Sequence, residues 1–316
     1  MKKQNVVMVY SGDDWDSETP YKNLDTKKYY ESTLPLFENK GFKFYKVSAR
    51  WYDEKKDTFK KAWKFDNGTW TKTNKSIKPD IYWDATETIK FYNRYKLLSE
   101  IKNKIPVINN PHFRYIMSNK VFQYAIFKKF MSPTWIVHSK AELKKHIRKT
   151  KGDIAVIKPI YGHGGNGVVV ENKSKILKKR IEYPVLLQEF INGEDGIPGR
   201  KEKAFSDLRI VFVNHKPIYA NTRTAHGNYI TNFHAGGIAR EFPLKQIPKK
   251  TWVSIKKIQE KIKHFDNCHY SLDFLFTKTG KPVLVELNCK PGVDLLNKIG
   301  NLKTNKKYLE ALLKSI

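Results

Sequence analysis

Two cysteines, Cys268 and Cys289, are all that this 316-residue chain carries. They show neither metal-ligand spacing nor the density of a disulfide framework, which sets aside zinc modules and stapled secreted scaffolds. Free thiols in a reducing compartment are the expectation. No apolar run is long enough to span a bilayer. The run Val6–Tyr10 follows Lys2 and Lys3, but it is too short for a signal peptide and soon meets Asp13 and Asp14. A cytoplasmic protein with no membrane partner is expected. Arginine is also scarce: nine of the 60 cationic residues. Arginine is the side chain that reads bases and phosphates bidentately, so its scarcity weighs against sequence-specific nucleic-acid recognition.

What is present is lysine. The formal charge is +29. Such a charge suits a polyanionic partner. The lysines are spread along the chain, however, and Asn, Ile, Tyr and Phe are plentiful too. That is the composition AT-rich codons give, with nonspecific affinity for nucleic acid as a side effect. Hydrophobic content of 40% and aromatic content of 13% support packed cores and exclude disorder as the default. The length allows two or three subdomains.

In the first third, apolar runs alternate with helical patterns. Asn5–Tyr10, Phe42–Val47, Asp80–Asp84 and Ile105–Ile108 read as strands, with helices over Thr26–Lys40 and Lys90–Ile101. This is the pattern of an α/β unit with a mainly parallel sheet, whose ligand site lies beyond the strand C-termini. Residues 51–79 interrupt it without a clear period, and a small hairpin is expected around Asn67–Gly68. Further on, Ser118 is expected to cap a helix over Asn119–Phe130. Thr134–Val137 runs extended, and Ser139-Lys140-Ala141-Glu142 forms a capping box. Strands follow at Ile154–Pro159, Val168–Glu171 and Val185–Phe190. After the polar loop Asn192–Lys203 comes a hairpin of Leu208–Val213 and Pro217–Asn221. Pro248–His264 is amphipathic, with Trp252, Ile255, Ile258 and Ile262 on one side. Lys303–Leu313 closes the chain as a helix.

Two stretches carry chemistry. Gly162-His163-Gly164-Gly165-Asn166-Gly167 satisfies G-x-G-x-x-G, but a strand follows it, so the dinucleotide fingerprint fails on context. No Gly-Lys-Ser/Thr makes it a P-loop. A glycine loop joining two strands can still lay its N–H groups over phosphates, with Lys158 as a point charge beside it. The plainer alternative is an ordinary flexible hairpin. The second stretch is Tyr270–Asp294. Apolar runs Tyr270–Phe276 and Pro282–Asn288 flank the turn Thr277–Lys281, a β-hairpin pattern. Glu286 and Asn288 face the same way, and Asp273 falls roughly opposite Val285–Glu286 if the turn closes symmetrically. Such oxygen donors suit Mg²⁺, with Mn²⁺ as the alternative ion. An edge strand with solvent-facing acids is the plainer reading.

Taken in order, these pieces resemble the ATP-grasp superfamily. They are Lys120, then Lys158 to Gly167, Leu186-Leu187-Gln188-Glu189-Phe190-Ile191, Asp207-Leu208-Arg209, Asn232-Phe233-His234-Ala235-Gly236-Gly237, and Asp273 with Glu286-Leu287-Asn288. The similarity is to RimK-type amino-acid ligases and, next, to bacterial glutathione synthetase, over about residues 105–300. It implies an α/β chain of α+β subdomains: an ATP-grasp fold behind a Rossmann-like pre-ATP-grasp domain. The expected domains are 1–112, a lid subdomain 113–190 and a C-terminal subdomain 191–316.

The resemblance also implies roles. Lys120 and Lys158 would contact the phosphates of ATP, under Gly164 and Gly165. Gln188, Glu189, Phe190 and Ile191 would form the adenine pocket, and Asp207 would contact the nucleotide, with Glu194 the alternative ribose partner. Arg209 and Arg223 would face the transferred phosphate and substrate. Asn232 would lie at the phosphate end, and Asp273, Glu286 and Asn288 would hold Mg²⁺. His163 and His234 are further acid–base candidates. The implied reaction is ATP-dependent joining of a carboxylate to an amine through an acyl phosphate, on small-molecule or peptide substrates, acidic ones being favoured by the basic surface. A homodimer follows only by analogy. A phosphotransferase and a basic nucleic-acid-binding protein are the alternatives. Where the family often has paired arginines this chain has Thr222-Arg223-Thr224, and where it often has Arg-Ser-Asn this chain has Ile230-Thr231-Asn232. These departures put glutamate as substrate in question.

Overall fold

The computed structural model describes residues 3–87, 92–162, 164–226, 229–231, 236–299 and 301–315. It divides into two compact units. One comprises Met1–Tyr115, Phe265–His269 and Lys290–Ile316; the other comprises Ile116–His264 and Tyr270–Cys289.

The first unit is built on parallel strands β1 (Gln4–Tyr10), β2 (Phe42–Ser48), β7 (Ile81–Asp84) and β8 (Val107–Ile108). Between β2 and β7 the chain makes the short pair β3 (Tyr52–Asp53) and β4 (Thr58–Phe59), then the hairpin β5 (Ala62–Asp66) and β6 (Thr69–Thr73). The sheet order is β6-β5-β2-β1-β7-β8. The near-continuous apolar sequence of β1 follows from burial of the sheet on both faces; Val6, Val7, Met8 and Val9 are fully buried. The hairpin turns at Asn67 and Gly68, both at positive φ (48° and 84°), as a two-residue turn that matches strand twist requires. Asp84, at the end of β7, is buried against the Arg114 guanidinium, with Arg94 at 3.4 Å.

Helices differ from their expected bounds for identifiable reasons. The stretch Thr26–Lys40 splits into α1 (Leu24–Thr33) and α2 (Pro35–Glu38). Pro35 has no N–H to continue α1 and instead opens α2. Asn23 caps α1, its side chain accepting from Thr26 N. The helix expected over Lys90–Ile101 is α3 (Tyr92–Lys102); its first residues lie outside the described ones. The C-terminal helices α9 (Asp294–Ile299) and α10 (Leu302–Leu313) group with this unit and not with residues 191–264. They pack on α1: Asn297 Nδ2 donates to Asp25 Oδ1 at 3.1 Å, and Tyr29 Oη donates to Asn305 O at 3.4 Å. Of the expected stretch 191–316, Phe265–His269 and Lys290–Ile316 fall in the first unit.

The second unit holds two antiparallel sheets. The smaller, in order β11-β10-β12-β9, comprises β9 (Thr134–Val137), β10 (Ile154–Pro159), β11 (Val169–Asn172) and β12 (Val185–Glu189). Helices α6 (Lys140–Ile147) and α7 (Lys173–Lys178) cover one face, burying Leu143, Ile147 and Ile176 against Ala155, Ile157 and Leu187. The larger, in order β15-β14-β13-β16-β17, comprises β13 (Ser206–Val213), β14 (Lys216–Thr224), β15 (Ile238–Phe242), β16 (His269–Phe276) and β17 (Pro282–Asn288). The amphipathic α8 (Lys249–Gln259) buries Ile255 and Ile258. It is shorter than Pro248–His264, and Ile262 is buried beyond its end. The helix near residue 120 is α5 (Lys120–Phe127), capped by the Asn119 side chain and not by Ser118.

Candidate active site

The site is built where the glycine loop of the smaller sheet meets the polar face of the larger one. The loop joins antiparallel β10 and β11, so it is a hairpin connection, as its sequence context requires. Gly164 and Gly165 sit at φ +73° and +78°, which L side chains rarely adopt. Across from them, β16 and β17 pair with Asp273 opposite Glu286 and Ser271 opposite Asn288. A bulge between Asp273 and Phe274 re-aims the strand at the carboxylate.

One cavity collects most of the nominated side chains. Its walls include Lys158, Gly164, Gly165, Gln188, Glu189, Phe190, Ile191, Asp207, Arg209, Arg223, Asp273, Glu286 and Asn288. Lys120 stands just outside. Its Nζ donates to Gly162 O at 2.6 Å and lies 3.7 Å from Glu286 Oε1, so it ties the glycine loop to the acidic strand. Asn232, His163 and His234 lie outside the described residues. Glu194 does not line the cavity as described.

The cavity has an apolar end and a charged end. At the apolar end Val156, Val168, Val170, Leu275 and Val285 surround an aromatic group. Phe190 and Phe205 stack with centroids 5.9 Å apart, and Tyr229 meets each edge-on at 5.0 and 5.3 Å. Gln188 is buried, its amide donating to Thr134 Oγ1 at 2.9 Å. The Glu189 carboxylate accepts from Lys151 N at 3.0 Å, which leaves the β12 backbone as its contribution to the wall.

At the charged end the guanidinium of Arg209 grips Asp273 bidentately, at 2.9 and 2.7 Å. Arg223 Nη2 reaches the same carboxylate at 2.7 Å, and its Nε donates to Asp207 Oδ1 at 2.9 Å. Thr231 Oγ1 donates to Asp207 Oδ2 at 2.6 Å. Burial works against the charged form of Asp273, which is 4% exposed, but Arg209 and Arg223 outweigh it and hold the carboxyl well below the ordinary range. Burial disfavours the Arg223 cation too, yet Asp207 and Asp273 keep it charged. Lys158 is 8% exposed, its Nζ 3.4 Å from Val285 O. Burial brings its pKa down to about 8, opposed by Glu286 and reinforced by Lys120.

Among the described residues, no three or more His, Cys, Asp or Glu side chains gather as a ready metal cage. The donor set suits a different kind of ion: two facing carboxylates and a carboxamide on one wall, one carboxylate already held by two arginines. Mg²⁺ takes few protein ligands and completes its octahedron with water and phosphate, so Asp273, Glu286 and Asn288 fit it. Phe205 and Tyr229 escaped the sequence reading, and Thr231 entered it only as a departure from the family's Arg-Ser-Asn. Phe205 lies two residues before Asp207, just ahead of β13, and its aromaticity there was the one available signal. Tyr229 and Thr231 come from a loop whose path no local pattern reveals.

Comparison with known proteins bears on the family and the fold. The RimK-like ATP-grasp domain matches residues 123–312. A tetrahydromethanopterin:alpha-L-glutamate ligase of Methanococcus maripaludis is 24% identical over 240 residues, 72% of this chain and 76% of that protein. A probable alpha-L-glutamate ligase of Vibrio vulnificus is 29% identical over 175 residues, 53% of each, so the match spans about half of that relative. The fold is similar to the crystal structure of D-alanyl-alanine synthetase A from Vibrio cholerae, with TM-score 0.64 at 14% identity, covering 100% of this chain and 99% of that one. The fold is that of ATP-grasp proteins, and both of these relatives are named as ligases. Within that class, the chain belongs to the RimK-like ATP-grasp family.

Proposed function

We propose that this protein is an ADP-forming acid–amino-acid ligase working through an acyl phosphate, with Mg²⁺ on Asp273, Glu286 and Asn288. The observation that carries the reading is the two-ended cavity: an aromatic, apolar slot continuous with a cluster of Lys158, Arg209, Arg223, Asp273 and Glu286. A purine fits the first end, and a triphosphate needs the second.

A carboxylate is a poor electrophile. In the proposed reaction its oxygen forms a bond to the γ-phosphorus of ATP while the bond to ADP breaks. The amine nitrogen then attacks the acyl carbon, the C–N bond forms, and phosphate departs with the pair of the C–O bond. The amine's surplus proton passes to water. Little covalent chemistry falls to the protein, so its task is positioning and charge neutralisation. Bound Mg²⁺ would neutralise phosphoryl charge. Lys158 and Lys120 lie beside the glycine loop and would meet phosphate oxygens. The Gly164 and Gly165 N–H groups would cover them. Arg223 is prevented from swinging by two carboxylates and would face the transferred group; Arg209 holds Asp273 in place. Gln188, Phe190, Phe205 and the β12 backbone to Ile191 would seat the base.

Two relatives are named alpha-L-glutamate ligases, which makes glutamate the first substrate to offer despite Thr222 and Thr224 standing where the family often places arginine. No described helix is long and apolar enough to cross a membrane, and the proposed setting is the cytoplasm. The test is a phosphate-release screen with ATP, Mg²⁺ and amino acids or short peptides, singly and in pairs. Free phosphate with a new amide supports the ligase. A stable phosphorylated product in place of both would make the protein a phosphotransferase.

A further inference from the structure

The polar loop Asn192–Lys203 has no role in the chemistry above, yet it lines a second, half-open cavity. Ser206 and Asp207 are neighbours on β13, and Arg223 lies between Thr222 and Thr224 on β14. Strand alternation turns Asp207 and Arg223 to the nucleotide cavity, and Ser206, Thr222 and Thr224 to the opposite face. There the loop and Arg240 of β15 border them, leaving a space of about 320 Å³.

Its lining is specific in chemistry. Arg200, Lys201 and Arg240 bring three cations; Glu202 is the one acid. The Arg200 guanidinium lies over the Phe242 ring at 4.8 Å and 3.5 Å from Gln246 Oε1. The floor is hydroxylic. Ser206 Oγ and Thr224 Oγ1 are 2.8 Å apart, and Thr222 Oγ1 reaches Arg240 O at 3.5 Å. Arg240 meets Glu202 at 2.9 Å, but these side chains are 65% and 78% exposed. Such a surface pair is worth little and exchanges readily for a better anion. Diffuse positive charge alone would not gather hydroxyls and two guanidinium groups around one cavity.

We propose that this second cavity binds an oxyanion, a carboxylate or a phosphate, between Arg200, Arg240 and the Ser206–Thr222–Thr224 floor. Guanidinium groups pair with either through parallel charge-assisted hydrogen bonds, and the hydroxyls supply the rest. The site lies on the far side of the sheet from the nucleotide, so its occupant does not compete with ATP. It stands whether or not the ligase mechanism holds.

The test is calorimetric titration of the full chain, with ADP saturating and about 0.15 M salt to screen diffuse attraction. Tetraglutamate and inorganic phosphate are the two probes, and whichever binds identifies the source of the oxyanion. One-to-one binding of at least one probe is expected. Arg200→Ala with Arg240→Ala should weaken it by roughly tenfold or more. Lys256→Ala with Lys257→Ala, which removes two exposed charges of α8, should leave it within about twofold. Thr222→Val keeps shape and strand propensity, and tests the floor even if the arginine pair lowers yield; it too should weaken binding. Binding of neither probe, equal weakening by the α8 pair, no effect of Thr222→Val, or binding that appears only when ADP is left out would each overturn the proposal.

Discussion

Arg223 Nη2 lies 2.7 Å from Asp273 Oδ2 while its Nε lies 2.9 Å from Asp207 Oδ1, so one guanidinium fastens β14 to carboxylates of both β13 and β16. Removing it takes the arginine partner from buried Asp207, which keeps the Thr231 hydroxyl, and leaves Asp273 to Arg209 alone. Arg223→Ala is therefore expected to lose about 3–5 kcal/mol of stability, measured by urea denaturation. A loss under about 1 kcal/mol would mean the charges are reached by water. Catalysis is better read on Arg223→Lys, which keeps the charge and loses the fork. That variant should lower kcat far more than it raises the KM for ATP; a pure KM effect would remove Arg223 from the transferred phosphoryl group.

Glu286 is the less buried of the two facing acids and sits 3.7 Å from Lys120. Glu286→Gln keeps its shape and removes its charge. Mg²⁺-dependent phosphate release should fall by about a hundredfold or more. Nucleotide affinity measured without metal should change by only a few fold. Equal losses in both assays would take Glu286 out of the metal's coordination.

Lys158 titrates with a pKa of about 8 in the nucleotide-free chain, chiefly because it is buried. Its charged form is the one that binds phosphate. Above pH 8 the lysine is increasingly neutral, so binding must take up a proton, and affinity for ATP should fall by up to about tenfold per pH unit. Calorimetry at pH 7 and pH 9, in two buffers of different ionisation enthalpy, checks both the weakening and the proton uptake. Lys158→Met should bind more weakly at pH 7 and show a flat profile. For stability the sign is opposite. A lysine whose folded pKa lies below its unfolded 10.5 costs stability while charged, so stability should rise between pH 8 and 10.5, and Lys158→Met should raise Tm at pH 7.

Gly164 and Gly165 hold positive φ in the loop proposed to cover the phosphates. A double Ala substitution strains that backbone by about 1–2 kcal/mol per residue. Phosphate release should drop while the melting curve of the rest of the chain barely moves. In the unaltered protein, limited proteolysis within 162–167 should slow when a non-hydrolysable ATP analogue is present. Identical cleavage with and without the analogue would count against the cover.

Much of this site was readable before the fold. The β16–β17 hairpin announced itself through two apolar runs about a Lys-Thr-Gly-Lys turn; symmetric closure puts Asp273 roughly opposite Val285–Glu286, and the bulge beside Asp273 fixes the pairing on Glu286. The glycine loop was legible because a strand, not a helix, follows it. The arginine clamp was not: Arg209, Arg223 and Asp273 are far apart in sequence, and only sheet order makes them neighbours. The break at Pro35 was written in the sequence and overridden by the helical period around it. The partner of α9 and α10 was beyond any periodicity, which says which face of a helix is apolar but not what it lies against.

The central claim is that a carboxylate oxygen passes to the γ-phosphoryl group of ATP. The most direct measurement uses ¹⁸O-labelled carboxylate substrate, L-glutamate first and then whichever acid the phosphate-release screen selects, with ATP, Mg²⁺ and an amine. Mass spectrometry of the released phosphate should find one ¹⁸O in each, in step with amide formation. Unlabelled phosphate alongside the amide, or a stable phosphorylated product with no amide, would contradict it.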